Sequence, residues 1–185
     1  FVSDYMLKSF FLLIFSISLG QHLVAQKLKA EQALEDVKTL ETNLKRFHSG
    51  LNRFTSSDSI NYYFDLVRSR LTEDIEVIDF YKEITFLLNK VRCGHTRTSM
   101  PSTANQSFIN TQLFLPVSVV YLGNRLYIND FRTNEGNLKK GEEILSINGL
   151  PVKEVTRRIF EHHSSDGFIN SSKYRFTEGL FRYYY

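Results

Sequence analysis

Residues 138–152 read Leu138-Lys-Lys-Gly-Glu-Glu-Ile-Leu-Ser-Ile-Asn-Gly-Leu-Pro-Val152. From residue 143 to residue 147, the polar residues Glu143 and Ser146 are interspersed with apolar residues, a pattern that we interpret as a strand with one buried face. The pair Asn148-Gly149 predicts a tight turn, because both residue types are common at turn positions that other side chains disfavour. Pro151 then fixes the direction in which the chain leaves the turn. These features predict a short β-hairpin.

The segments on both sides of this hairpin complete a small α+β unit. Residues 115–121 and 125–128 are two strand-like runs joined by Gly123-Asn124, a pair that signals a two-residue hairpin turn. After the hairpin, residues 152–160 return to helical spacing through Val155, Ile159 and Phe160. We therefore predict a small β-barrel with a helix packed across it.

Residues 26–92 have the pattern of a helical bundle. Three runs place apolar residues at steps of three and four, which predicts three amphipathic helices. Their apolar stripes are Leu34, Val37, Leu40, Leu44 and Phe47; then Ile60, Phe64, Val67 and Leu71; and finally Val77, Phe80, Tyr81, Ile84, Leu87, Leu88 and Val91. Gly50 is placed to cap the first helix at its C-terminus, and Ser56-Ser-Asp58 supplies N-cap oxygens for the second. We interpret all three stripes as packing faces, so the predicted fold class is α+β, an N-terminal helical bundle followed by the small barrel.

Residues 6–25 have the features of a secretory signal peptide. Lys8 precedes a largely apolar run from residue 9 to residue 20, and Met6 is the natural initiator. The run is shorter than the roughly 20 residues that a membrane-spanning helix needs, and the polar residues Gln21 and His22 follow it. We therefore expect an exported protein, periplasmic or extracellular, with no integral membrane span after cleavage. A buried helix or a membrane anchor is the alternative.

Charge and composition exclude several classes of partner and site. The 185 residues carry 23 basic and 20 acidic side chains, with a net charge of +3 and no basic stripe, so we expect no nucleic-acid partner. Cys93 is the single cysteine and cannot form an internal disulfide, and no spacing of Cys and His is typical of a zinc site. We predict no metal ion and no cofactor, and the sequence leaves the oligomeric state open.

Two further motifs give residues 138–152 a family context. This segment resembles the signature of PDZ domains found in exported bacterial proteases. Together with the N-terminal helices, His48-Ser-Gly-Leu51 and Cys93-Gly-His-Thr96, it resembles the N-terminal half of tail-specific (carboxy-terminal-processing, tricorn-like) serine peptidases. The resemblance covers residues 30–185.

The resemblance implies a domain organisation. Residues 26–92 would form a helical N-terminal domain, residues 93–104 a strand or linker carrying the Gly-His-Thr motif, and residues 105–165 a PDZ-like domain. Residues 166–185 would begin a truncated catalytic domain, whose missing part follows Tyr185.

The segment before the first hairpin contains Pro116 and no glycine. We therefore do not expect this segment to hold a peptide tail, and the peptide-binding residues remain unassigned.

The resemblance also implies an activity. The chain would be the N-terminal fragment of an exported serine endopeptidase that hydrolyses peptide bonds in a polypeptide substrate, with a Ser nucleophile beyond residue 185. His95 matches the general base of tricorn-like members, since an imidazole can accept the Ser proton near neutral pH. In members with a Ser-Lys dyad this His is not needed for catalysis. If the chain belongs to that branch, His95 would be a hydrogen-bonded residue at the start of a strand. Lacking the nucleophile, the fragment alone is predicted to be inactive; the alternative function is a non-catalytic exported PDZ-like module that binds peptides or other ligands.

The remaining candidate residues are assigned structural roles. Cys93 is interpreted as a thiol packed against the helices rather than as a nucleophile, and His48 as a turn residue. His162 and His163 are expected at a helix end, where a positive charge is favourable. Ser164-Ser-Asp-Gly167 is interpreted as a loop.

Overall fold

The computed structural model describes residues 27–111, 114–131 and 138–184. Within these ranges the chain forms six helices and three two-stranded antiparallel sheets. In chain order the elements are β1 (Lys27–Leu28), α1 (Ala30–Phe47), α2 (Ser57–Arg70), β2 (Ile75–Glu76), α3 (Val77–Val91), α4 (Ser102–Thr111), β3 (Val117–Leu122), β4 (Arg125–Phe131), β5 (Ser146–Ile147), β6 (Leu150–Pro151), α5 (Val152–Glu161) and α6 (Ser171–Tyr184). The predicted signal peptide, residues 6–25, lies outside the described residues. None of the described helices is long and apolar enough to cross a membrane.

The first three helices pack on one another as their apolar stripes predict. Ser56 caps α2, because its Oγ accepts a hydrogen bond from the backbone N–H of Ser59 at 3.2 Å. Helix α2 contacts both α1 and α3. The helical core consists of the buried residues Ala33, Val37, Leu44, Leu51, Ile60, Phe64, Val67, Leu71, Phe80, Leu87, Leu88 and Val91. The second and third predicted stripes are confirmed, since all their members are buried or half-buried.

The end of α1 differs from the prediction at two residues. Phe47 is 69% exposed, because the helix ends at this residue, and the guanidinium of Arg46 lies 4.9 Å from the centre of its ring. The cap is His48, with φ −86°, rather than Gly50. The chain leaves the helix through extended backbone, so it needs no glycine in the left-handed conformation there.

Both predicted hairpins are present. Strands β3 and β4 pair across the turn at Gly123 and Asn124, with a register shift between Ser118 and Val119. Strands β5 and β6 pair across Asn148 and Gly149, whose φ angles are 49° and 81°. Positive φ at both turn positions matches a tight hairpin turn, which explains the Asn-Gly pair.

The predicted closed barrel is not confirmed, although the α+β class is. In the described ranges the strands pair two by two, and β5 and β6 have two residues each, too few to continue a ladder around a barrel. Helices α5 and α6 cover the sheet instead. The sheet core consists of Val117, Val119, Tyr121, Leu126, Ile128, Ile147, Val152, Val155, Ile159 and Phe181. Helix α6 also covers the edge of β3, where a carboxylate oxygen of Glu178 accepts the backbone N–H of Tyr121 at 2.7 Å.

Residues 93–104 form a turn, an irregular segment and the start of a helix. Of the two predicted alternatives, a strand or a linker, residues 93–104 contain no strand and correspond to the linker. Arg92 adopts a left-handed conformation with φ 57°, and the backbone N–H of Thr96 donates to the carbonyl of Cys93 at 3.1 Å, so the chain turns immediately after α3. The preference of threonine for strands is therefore overridden by the turn. Helix α4 then runs from Ser102 into the segment predicted as PDZ-like.

Candidate functional site

Two loops meet where the helical core joins the sheet core. One is residues 92–97, which follow α3, and the other is residues 163–168, which follow α5; we call this junction the seam. The backbone N–H of Gly94 donates to Oδ1 of Asp166 at 2.7 Å. The backbone N–H of Gly167 donates to the carbonyl of Arg92 at 2.9 Å. These two hydrogen bonds fix the loops against each other.

His95 lies at the surface of the seam. Its side chain is 90% exposed, and its Nδ1 is 3.9 Å from Oδ1 of Asp166. This separation is longer than a hydrogen bond but short enough for electrostatic attraction to the protonated imidazole. The ring is therefore accessible to a proton donor that approaches from solvent, with a carboxylate on one side.

Asp166 is the residue of this site that the sequence analysis missed. It lies in the segment interpreted as a loop, 72 positions from Gly94. A Cβ on Gly94 would lie 3.3 Å from Oδ1 of Asp166, so the close approach favours glycine at this position. Pairing over this distance along the chain leaves no local signal in a single sequence.

Cys93 completes a cluster of three potential ligands. Its sulfur, a ring nitrogen of His95 and a carboxylate oxygen of Asp166 all lie within 4.8 Å of one another. Cys93 is half-buried and packs against the helical core, as predicted. The hydrogen bond from the Thr96 side chain lowers the pKa of the thiol, assisted by backbone hydrogen bonds from His95 and Thr96; burial and the Asp166 charge oppose this.

Three other histidines lie within the described residues: His48, His162 and His163. Nε2 of His48 lies 2.8 Å from Oγ1 of Thr96, so His48 supports the turn that carries His95. His162 is at the C-terminal end of α5, as predicted. Burial opposes the positive charge that this helix end favours on His162 and His163. Burial lowers the pKa of both rings, to about 4 for His163, where the charges of Arg97 and Lys173 act in the same direction.

A cleft of about 520 Å³ opens beside the seam. Three cationic side chains, Lys90, Arg92 and Lys173, contribute to its wall together with Phe54 and Phe168. The lining, where the described residues form it, contains no carboxylate. The Nζ of Lys173 donates to Oδ1 of Asn89 at 2.8 Å and to the carbonyl of Phe160 at 2.9 Å. Burial, together with the charges of Lys90 and Arg92, lowers the pKa of Lys173 to about 8. An anionic group in the cleft would relieve the repulsion among these cations.

Comparison with known proteins adds no family to this description. No family model matches the chain, and no curated protein matches it. The motif Cys93-Gly-His-Thr96 forms the turn of the seam, in which His95 is exposed and Gly94 is buried.

Proposed function

We propose that this chain is the N-terminal part of an exported serine endopeptidase of the tail-specific protease family. In this proposal the enzyme hydrolyses polypeptides outside the cytoplasm with a Ser nucleophile located beyond Tyr185, and residues 105–165 correspond to the PDZ-like domain. His95 is the general base. The observation that carries the proposal is the exposed imidazole of His95 with the Asp166 carboxylate 3.9 Å from its Nδ1.

The geometry of the seam supports the role of a base. A general base must be reachable by the hydroxyl that it deprotonates, and His95 is exposed on a turn rather than buried in packing. It would accept the proton of the Ser hydroxyl on Nε2 and return it to the leaving amine. Asp166, held by the N–H of Gly94, lies on the Nδ1 side, where a carboxylate orients the ring and stabilises the imidazolium. A small rotation of either exposed side chain would shorten 3.9 Å to a hydrogen bond of about 2.8 Å.

A second candidate is a non-catalytic exported module that binds peptides or other ligands. The cationic cleft favours this candidate, since Lys90, Arg92 and Lys173 face a ligand-sized space without a carboxylate in the described lining. A peptide with acidic side chains or a free carboxylate would suit these charges. The two candidates are distinguished by whether the complete protein contains an activated serine.

The test uses the complete protein encoded by the continuous reading frame. Hydrolysis of fluorescently labelled casein reports peptidase activity, and labelling by a fluorophosphonate reports an activated serine. We expect both signals in the wild type, and a loss of kcat/KM on the order of 10³-fold in His95→Asn, because the base is removed. Asp36→Asn, an exposed carboxylate change on α1, is the matched control and should retain full activity.

Three other results are informative. Full hydrolysis in His95→Asn together with a labelled serine would overturn the role of His95 and indicate a Ser-Lys enzyme. Asp166→Asn should lose less activity than His95→Asn, because it removes the orienting charge and not the base. A wild type that neither hydrolyses casein nor reacts with the fluorophosphonate would refute the peptidase proposal and leave the binding module.

A further inference from the structure

We propose that Cys93, His95 and Asp166 form a binding site for Zn²⁺. The site shares His95 and Asp166 with the catalytic pair proposed above, so a bound ion would prevent His95 from acting as a base. The site is built from one turn and one loop, which folding brings together at the seam. It supplies a sulfur, a nitrogen and an oxygen ligand, and water would take a fourth position.

The distances suit a tetrahedral ion. The three candidate ligand atoms lie within 4.8 Å of one another. Bond lengths of about 2.0–2.3 Å to Zn²⁺ imply separations between ligands of about 3.3–3.8 Å in a tetrahedral site. The side chains of His95 and Asp166 are 90% and 53% exposed, so rotation about their side-chain bonds can close the remaining gap of about 1 Å without moving packed groups.

The surrounding hydrogen bonds keep the three ligands close together before an ion arrives, so that only a small rotation of side chains remains. Asp166 is fixed by the N–H of Gly94 at 2.7 Å, and a carboxylate has a second oxygen with which to bind the ion. The turn that carries Cys93 and His95 is closed by the backbone of Thr96, whose hydroxyl lies 2.8 Å from Nε2 of His48. Such outer contacts orient ligands and increase the affinity of metal sites.

The chemistry of the ligand set selects the class of ion. A thiolate and an imidazole are preferred by Zn²⁺ and similar transition metals, whereas Mg²⁺ and Ca²⁺ require shells composed mainly of oxygen. Cysteine binds metal ions as the thiolate, so the sulfur of Cys93 would lose its proton when the ion binds. Three protein ligands and an exposed edge indicate an exchangeable ion with an open coordination position rather than a structural site of four ligands.

The test is a titration of the complete protein with Co²⁺, followed by competition with Zn²⁺. Cobalt bound by a thiolate gives a charge-transfer absorption band in the near ultraviolet. We expect this band to appear on addition of Co²⁺, to disappear on addition of Zn²⁺, and to persist in an excess of Mg²⁺. Cys93→Ser should abolish it. His95→Asn and Asp166→Asn should each weaken Zn²⁺ binding by more than about 10-fold, the lower limit for loss of a mere outer-shell partner.

The controls separate this result from unfolding and from catalysis. Asp36→Asn should bind Zn²⁺ like the wild type, and circular dichroism should show that all variants remain folded. Absence of the band in the wild type, or its persistence in Cys93→Ser, would overturn the site. The change at Cys93 could disturb packing, whereas Asp166 is exposed, so Asp166→Asn tests the proposal without that effect. Unchanged Zn²⁺ affinity in Asp166→Asn would refute the three-ligand site. The absorption band requires no peptidase activity, so failure of either proposal is recognised separately.

Discussion

The helical core and the sheet core are assembled from contacts of different range. The helical core comes from three successive helices, whose packing faces follow from spacing along residues 30–91. The sheet core instead needs α6 to cover β3, and the hydrogen bond between Tyr121 and Glu178 joins residues 57 positions apart. Local spacing is enough to identify the first kind of core, but the second depends on pairings that no short segment contains.

The contacts between the two cores differ in kind from the contacts within each core. Each core buries its own apolar residues, and hydrogen bonds cross the junction between the two cores. Examples are the hydrogen bond from Asn89 to the carbonyl of Glu161 at 3.0 Å and the bonds of Gly94 and Gly167 across the seam. This arrangement predicts that damage to one core weakens that core more than the other.

The largest stability effect is expected from a matched pair of Phe→Ala changes. Phe64 and Phe181 are each 2% exposed, one in each core. Removing either ring should cost about 3–5 kcal/mol in free energy of unfolding, because a cavity replaces it. Hydrogen exchange measured by mass spectrometry should show faster exchange mainly in α1–α3 for Phe64→Ala and mainly in β3–β4 for Phe181→Ala. Equal acceleration in both regions for both variants would mean that the cores unfold as one unit.

An intermediate effect is expected at the seam from Gly167→Ala. Gly167 has φ 57°, and an added Cβ would lie 3.1 Å from the ring of Phe54. Strain in the left-handed backbone and the overlap with the ring should together lower the free energy of unfolding by roughly 2–4 kcal/mol. The matched control is Gly123→Ala, with φ 62° and open space around the added atom, which should cost only about 1–2 kcal/mol. Chemical denaturation measures both, and equal losses would show that Phe54 moves aside without cost.

A smaller effect, dependent on pH, is expected from His163. Burial lowers the pKa of this ring from 6.5 to about 4, so the folded state favours the neutral ring while the unfolded state takes up the proton first. Stability should therefore fall as the pH decreases from 6.5 towards 4, by about 2 kcal/mol between about pH 7 and pH 5. In His163→Gln this contribution should vanish, which a comparison of the two slopes of unfolding free energy against pH would show. Identical slopes would mean that folding does not change the pKa of this ring.

The sequence predicted most of the fold because its strongest signals are local. The stripe from Val77 to Val91 and the turn pairs Gly123-Asn124 and Asn148-Gly149 each specify one element within a few residues, and each is found as predicted. The barrel was not confirmed, since closure depends on strand length and on pairing between distant strands. Helix α6 could not be placed from its sequence, because its packing on β3 is a contact between distant segments.

The candidate site was predictable only in part for the same reason. The Gly-His-Thr motif drew attention to His95, but its neighbour Asp166 is reached only through the fold. The helix end favours a positive charge on His162 and His163, but burial lowers the pKa of both rings and acts in the opposite direction. A sequence shows that a histidine is near a helix end, but not how much of its ring is removed from water.

The contact between α6 and β3 also determines how long the edge of β3 can pair with another chain during synthesis of the protein. The helical core can close as soon as residues up to Val91 have left the ribosome, because all its partners are already present. The edge of β3 must wait for Glu178, which is translated 57 residues after Tyr121. During that interval the nascent chain presents an uncovered edge strand, which can pair with another chain. The arrival of α6 ends this interval, so a late helix protects an earlier hairpin from aggregation.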